Sequence, residues 1–144
     1  MKEQASKKKE SLLRDYLQQY MTYENTLNYI QSQIDSLRLS YREALAAKSL
    51  LDSFEEIKDR DFLSGMGSGI FLVSKLSNKS KVMVSLGKDV VAKLTVKEAT
   101  AYLDNKIKML DEAISVLQTR LNEIAQEMLR LRSKIEALYR TVQG

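Results

Sequence analysis

Apolar residues recur along two long stretches of the chain at alternating steps of three and four. The cleaner stretch runs Leu103, Ile107, Leu110, Ile114, Leu117, Leu121, Ile124, Met128, Leu131, Ile135, Leu138 and Val142. A mean step of 3.5 holds one stripe against a partner helix and implies a left-handed supercoil. The other stretch reads Leu13, Tyr16, Tyr20, Tyr23, Leu27, Ile30, Ile34, Leu37 and Tyr41. There the pattern predicts a change of phase, the stripe resuming as Ala47, Leu50, Phe54 and Ile57, as a stutter would require. No proline interrupts either stretch.

Each stripe is roughly 45 residues long, or about 70 Å of helix. Equal arms joined by a short folded connector predict an antiparallel two-helix coiled coil. That register brings Leu13 near Val142 and Ile57 near Val96. We expect one structural unit over 1–144, with a coiled-coil helix over 1–59, a connector over 60–95 and a second helix over 96–142.

The connector changes period. Ile70–Leu76, Lys81–Leu86 and Val90–Leu94 are short β-branched-rich runs, divided by Ser77-Asn78-Lys79-Ser80 and Gly87-Lys88-Asp89. Asp61-Phe62-Leu63-Ser64 is a candidate fourth strand, ahead of a glycine segment, Gly65 to Gly69, read as a turn with unusual backbone angles. Two β-hairpins result. Thr95-Val96-Lys97-Glu98 then fits a capping box, with hydroxyl and carboxylate each satisfying a free backbone N–H.

The hairpins carry more apolar surface than they can hide. Ile70, Leu72, Val82, Val84, Leu86, Val90 and Leu94 are expected on one face; Phe71, Val73, Met83 and Val91 point the other way. Leaving one face wet forfeits on the order of 10 kcal/mol, at about 1.5–3 kcal/mol per large side chain. Open strand edges also invite pairing. We therefore expect these eleven residues to form an oligomerisation surface, several copies or homologous subunits sharing strands in a common β assembly. The fold class is α+β, mainly α.

Composition narrows the chemistry. The chain has no His and no Cys, which removes imidazole catalysis, thiol nucleophiles, disulfides and the usual zinc ligand sets. We expect no enzyme activity, no cofactor and no metal. The acidic cluster Asp52, Glu55, Glu56, Asp59 and Asp61 reads as a solvated helix end. Neither a signal peptide nor an apolar run of membrane-spanning length is evident, so the expected compartment is the cytoplasm, without a membrane partner. Net charge is +4. Lys7-Lys8-Lys9 is the densest basic run, and without an accompanying arginine and aromatic platform it reads as a solubilising helix terminus rather than a nucleic-acid site.

Local sequence adds a resemblance. Gly67-x-Gly69-Ile70-Phe71-Leu72-Val73-x-Lys75-Leu76, Lys81-Val82-Met83-Val84-x-Leu86-Gly87, Val90-Val91-Ala92, Thr95-Val96-x-Glu98-Ala99 and Tyr102-Leu103 are similar to segments of the α-type subunits of the prefoldin family. The family carries Val-Pro before the glycines, where this chain has Leu63-Ser64. The resemblance implies an ATP-independent holdase subunit, with two α-type and four β-type prefoldin subunits joining their hairpins in a double β-barrel platform. It implies unfolded client proteins held at the arm tips and passed to a group II chaperonin. The tips would then display apolar residues beyond those the seam consumes. Leu12, Leu17, Met21, Leu129 and Tyr139 lie off the stripe, beside Leu13, Tyr16, Tyr20, Met128, Leu131, Leu138 and Val142 on it. These twelve are the candidate client contacts. Two other readings are a homomeric, filament-forming relative and a structural or nucleic-acid-binding coiled-coil tether.

Overall fold

The computed structural model describes residues 2–77, 79 and 81–143. Seven elements follow in order: α1 (Lys2–Asp52), α2 (Phe54–Ile57), β1 (Asp61–Gly67), β2 (Ile70–Lys75), β3 (Val82–Gly87), β4 (Val90–Leu94) and α3 (Val96–Gln143). The chain divides into two compact units, residues 1–38 with 112–144, and residues 39–111.

In the first unit α1 and α3 pack along the two stripes. Ile30, Ile34 and Ile124 form the buried centre, with Tyr23, Leu27, Ile114, Leu117, Leu121 and Met128 packed around them. Ile34 is fully enclosed. Tyr16 takes the Lys134 ammonium over its ring, 5.8 Å from the centroid, and the Arg38 guanidinium donates to Gln118 Oε1 at 3.4 Å. Moving up α1 therefore moves down α3, so the helices run antiparallel. The seam holds because the steps of three and four return each large side chain to the facing helix.

The second unit begins with the remainder of α1. The expected stutter does not occur. Tyr41, Ala44, Lys48 and Leu51 are the covered positions, whereas Ala47 and Leu50 are exposed. The three-four rhythm continues, with a lysine occupying a seam position. Its ammonium ends 2.6 Å from the Asp104 carboxylate on α3, and its aliphatic stem supplies the packing an apolar residue would give. The helix expected through residue 59 stops at Asp52. Ser53 intervenes before the single turn of α2, whose Phe54 and Ile57 are half-buried.

Both hairpins form. β1 pairs antiparallel with β2, from Asp61 opposite Lys75 to Gly67 opposite Ile70. β3 pairs with β4, from Val82 opposite Leu94 to Gly87 opposite Val90. The glycine segment is mostly strand rather than turn. Gly65, Met66 and Gly67 belong to β1, with a bulge between Gly65 and Gly67. Only Ser68 and Gly69 make the connection, and the left-handed backbone at Gly67 (φ 93°) and Gly69 (φ 76°) explains the choice of residue. Met66, the extra residue, bends the strand. The segment expected to divide the hairpins includes Asn78 and Ser80, which lie outside the described residues. At the base of the first hairpin the Asp59 N–H donates to Leu76 O at 2.8 Å.

The start of α3 is capped, though differently from the expectation. Thr95 Oγ1 accepts from the Glu98 N–H at 3.1 Å. The Glu98 carboxylate then accepts from the Thr95 hydroxyl at 3.0 Å, instead of reaching the Thr95 backbone N–H. One orphan donor is satisfied, and the hydroxyl is held in place to do it.

Candidate functional site

Two apolar surfaces stand open, one in each unit. In the second unit, hairpin β1–β2 is exposed along its whole length and on both faces. Leu63, Val73 and Phe71 share one face with Gly65, while Leu72 and Ile70 lie on the other. All five of these side chains are more than half exposed. Gly65 lies opposite Phe71 and leaves room beside its ring, since a β-carbon there would sit 3.9 Å from Phe71 Cε1.

Hairpin β3–β4 is half-covered on one face. Val82, Val84, Ala92 and Leu94 lose solvent on that face, and Val82 and Val84 line an open apolar groove with Leu50, Leu51, Tyr102 and Leu103 of the helices. The groove encloses about 430 Å³. The alternation groups Leu86 and Val90 with Val82, Val84 and Leu94 on one face, but both are more than half exposed. The bulge between Ser85 and Gly87 displaces Leu86 from the ladder, and Val90 stands at the turn. Met83 and Val91, on the opposite face, are exposed.

In the first unit the second surface lies along the ends of α1 and α3. Leu12, Leu17, Met21, Leu129, Tyr139 and Val142 are exposed. Leu13, Tyr16, Tyr20, Met128 and Leu138 are half-covered by the seam and present only an edge. Leu131 is 6% exposed and is a packing residue, so the structure withdraws it from the candidate contacts. The split follows from geometry: seam positions turn inward and residues a step away from the stripe remain open, while Val142, on the stripe in the last turn of α3, is also exposed. The Tyr139 hydroxyl accepts a hydrogen bond from Gln143 Nε2 at 3.0 Å.

Other exposed apolar residues carried no sequence signal of a site. Tyr29, Leu39, Met109 and Val116 are each more than half exposed. Among the described residues no group of acidic side chains is placed to hold a metal ion. In the acidic stretch Glu55 pairs with Lys58 at 2.6 Å, and the Glu55 carboxylate, first by hydrogen bond and then by charge, raises the Lys58 pKa above its ordinary value. No described helix is long and apolar enough to cross a membrane.

Comparison with known proteins gives these surfaces a family. The prefoldin subunit family matches residues 23–141. The prefoldin subunit alpha of Methanococcus aeolicus is 26% identical over 136 residues, covering 94% of this chain and 92% of that protein. The prefoldin subunit alpha of Methanoregula boonei is 28% identical over 120 residues, 78% of each chain. Among solved structures, filamentous prefoldin from Methanocaldococcus jannaschii superposes with a TM-score of 0.65 at 21% identity, covering 84% of this chain and 98% of that one. The prefoldin beta subunit from Thermococcus strain KS-1 gives 0.63 at 19% identity, covering 88% and 90%. Two long helices flanking two hairpins, and a family match across both, lead to one conclusion: this chain belongs to the prefoldin subunit family, whose members are chaperone subunits.

Proposed function

We propose that the chain is an α-type subunit of an ATP-independent holdase. Its hairpins join those of β-type subunits, two α with four β, in a β-barrel platform. Its helix ends hold unfolded polypeptides in the cytoplasm and pass them to a group II chaperonin. The observation that carries this reading is the division of exposed apolar surface between two places, the hairpins and the helix ends. Bare strands suit permanent burial against sister subunits. Separate leucines, methionines and a tyrosine on helix suit transient, sequence-tolerant contact.

The test replaces Leu12, Leu17, Met21 and Leu129 with Ser. Assembly with a β-type partner is expected to persist, since none of the four packs in the seam, while suppression of aggregation of a chemically unfolded client weakens. Undiminished suppression removes the helix ends from the reading.

A second reading has one point in its favour, the likeness to a filamentous prefoldin. In that reading copies of this chain join hairpin to hairpin without β-type subunits. Electron microscopy of the purified chain alone separates the two.

A further inference from the structure

The exposed leucines of the first unit are set in positive charge. Residues 2–15 hold Lys2, Lys7, Lys8, Lys9 and Arg14 against Glu3, Glu10 and Asp15; residues 127–143 hold Arg130, Arg132, Lys134 and Arg140 against Glu127 and Glu136. Each stretch is net +2, and together they account for the whole chain's +4, so the residues outside them are neutral in sum. Local neutralisation is partial. Arg132 takes Glu136 at 3.4 Å, Arg130 takes Glu127 at 2.6 Å, and Lys134 lies over the Tyr16 ring. Among the described residues Lys7, Lys8, Lys9 and Arg140 have no carboxylate within ion-pair distance, and all of residues 2–12 are exposed.

We propose that the helix ends select unfolded polypeptides whose apolar segments are flanked by acidic residues. This rests on the holdase reading above and names its substrate class. Charge complementarity supplies the choice: Lys8 and Lys9 stand about one turn before Leu12 and Arg14 one turn before Leu17 on α1, and Arg140 adjoins Tyr139 on α3. A chain that seats an apolar residue on this surface therefore brings its neighbours within a Debye length, about 8 Å, of several unpaired cations. Acidic neighbours gain and basic ones are repelled. Nucleic acid fits less well. The Tyr16 and Tyr20 rings are half-covered in the seam and offer no open stacking platform, while the exposed leucines give a polyanion nothing to bind.

The test measures binding of the assembled full-length protein to fluorescent peptides with one apolar centre and glutamate, serine or lysine flanks. Glutamate flanks are expected to bind about five- to tenfold more tightly than lysine flanks, the scale of a few exposed charge pairs acting together. That ratio should shrink at high salt, and should fall toward one in K7E/K8E/K9E, with K7Q/K8Q/K9Q between. Equal affinity for all flanks overturns the selectivity while leaving the holdase reading standing. Failure to bind any peptide overturns both. Binding of poly(U) RNA through the same lysines, with no ranking among the peptides, also overturns the proposal and assigns the charge to nucleic acid.

Discussion

Lys48 Nζ stands 2.6 Å from Asp104 Oδ1, linking α1 to α3 at a seam position where the three-four rhythm calls for an apolar side chain. Both groups keep partial access to water, so screening limits what the pair contributes. Its orientation matters more: the stem of Lys48 fills the seam, and its charge is held at the edge by one specific carboxylate. An ammonium in a seam costs little while that partner is present and more when it is gone. Lys48→Leu is therefore expected to leave the thermal midpoint unchanged or raised, whereas Asp104→Ala lowers it. The reverse order in thermal denaturation would contradict the placement of Lys48 in the seam.

The same pair sets a pH dependence. The Asp104 carboxylate, by its hydrogen bond first and its charge second, raises the Lys48 pKa above the ordinary 10.5, and Asp52 adds to the effect. A lysine whose pKa is higher folded than unfolded contributes stability below the ordinary value and loses it as pH rises through the raised one. The stability difference between the wild type and Asp104→Asn should therefore be constant through neutral pH and shrink at alkaline pH above the lysine range. A difference that grows there, in denaturant titrations, would refute the assignment.

Burial along the seam ranks the apolar positions. Ile34 is fully buried and Leu50 is 50% exposed. Ile34→Ala is expected to cost about 2–5 kcal/mol, cavity included, whereas Leu50→Ala stays within about 0.5 kcal/mol. Urea denaturation of both variants measures the contrast, and equal losses would restore the shifted stripe.

Backbone angles separate two glycines that lie close in sequence: Gly69 lies at φ 76°, while Gly65 is in ordinary strand with only van der Waals contact awaiting a methyl group. Gly69→Ala should destabilise by about 1–2 kcal/mol, the left-handed penalty for an L-residue, and Gly65→Ala should be tolerated. Hydrogen exchange of the β1–β2 amides reads both.

Much of this was legible in the sequence. The large, regularly spaced residues from Leu103 to Leu138 could hardly lie anywhere but in a seam, and the β-branched runs with their turn residues announced the hairpins. What misled was chemistry with two aspects. Lys48 counts as polar in an apolar pattern, so the stripe seemed to jump to Ala47 and Leu50, although the stem of a lysine packs like a hydrocarbon. Gly65 and Gly67 read as a turn, because the two-residue connection and the bulge differ only in pairing, which no local pattern encodes. Leu131 falls among the tip residues by its position along the chain, although its place on the stripe already turns it into the seam.

The central claim is that hairpin β1–β2, bare on both faces, is covered by sister subunits. Native mass spectrometry of the full-length protein, with and without a β-type partner, tests it most directly. The account predicts a multi-subunit particle in at least one of the two samples, lost when Leu72 and Val73, one on each face of β2, are both changed to Glu. A stable monomer in both samples would contradict it.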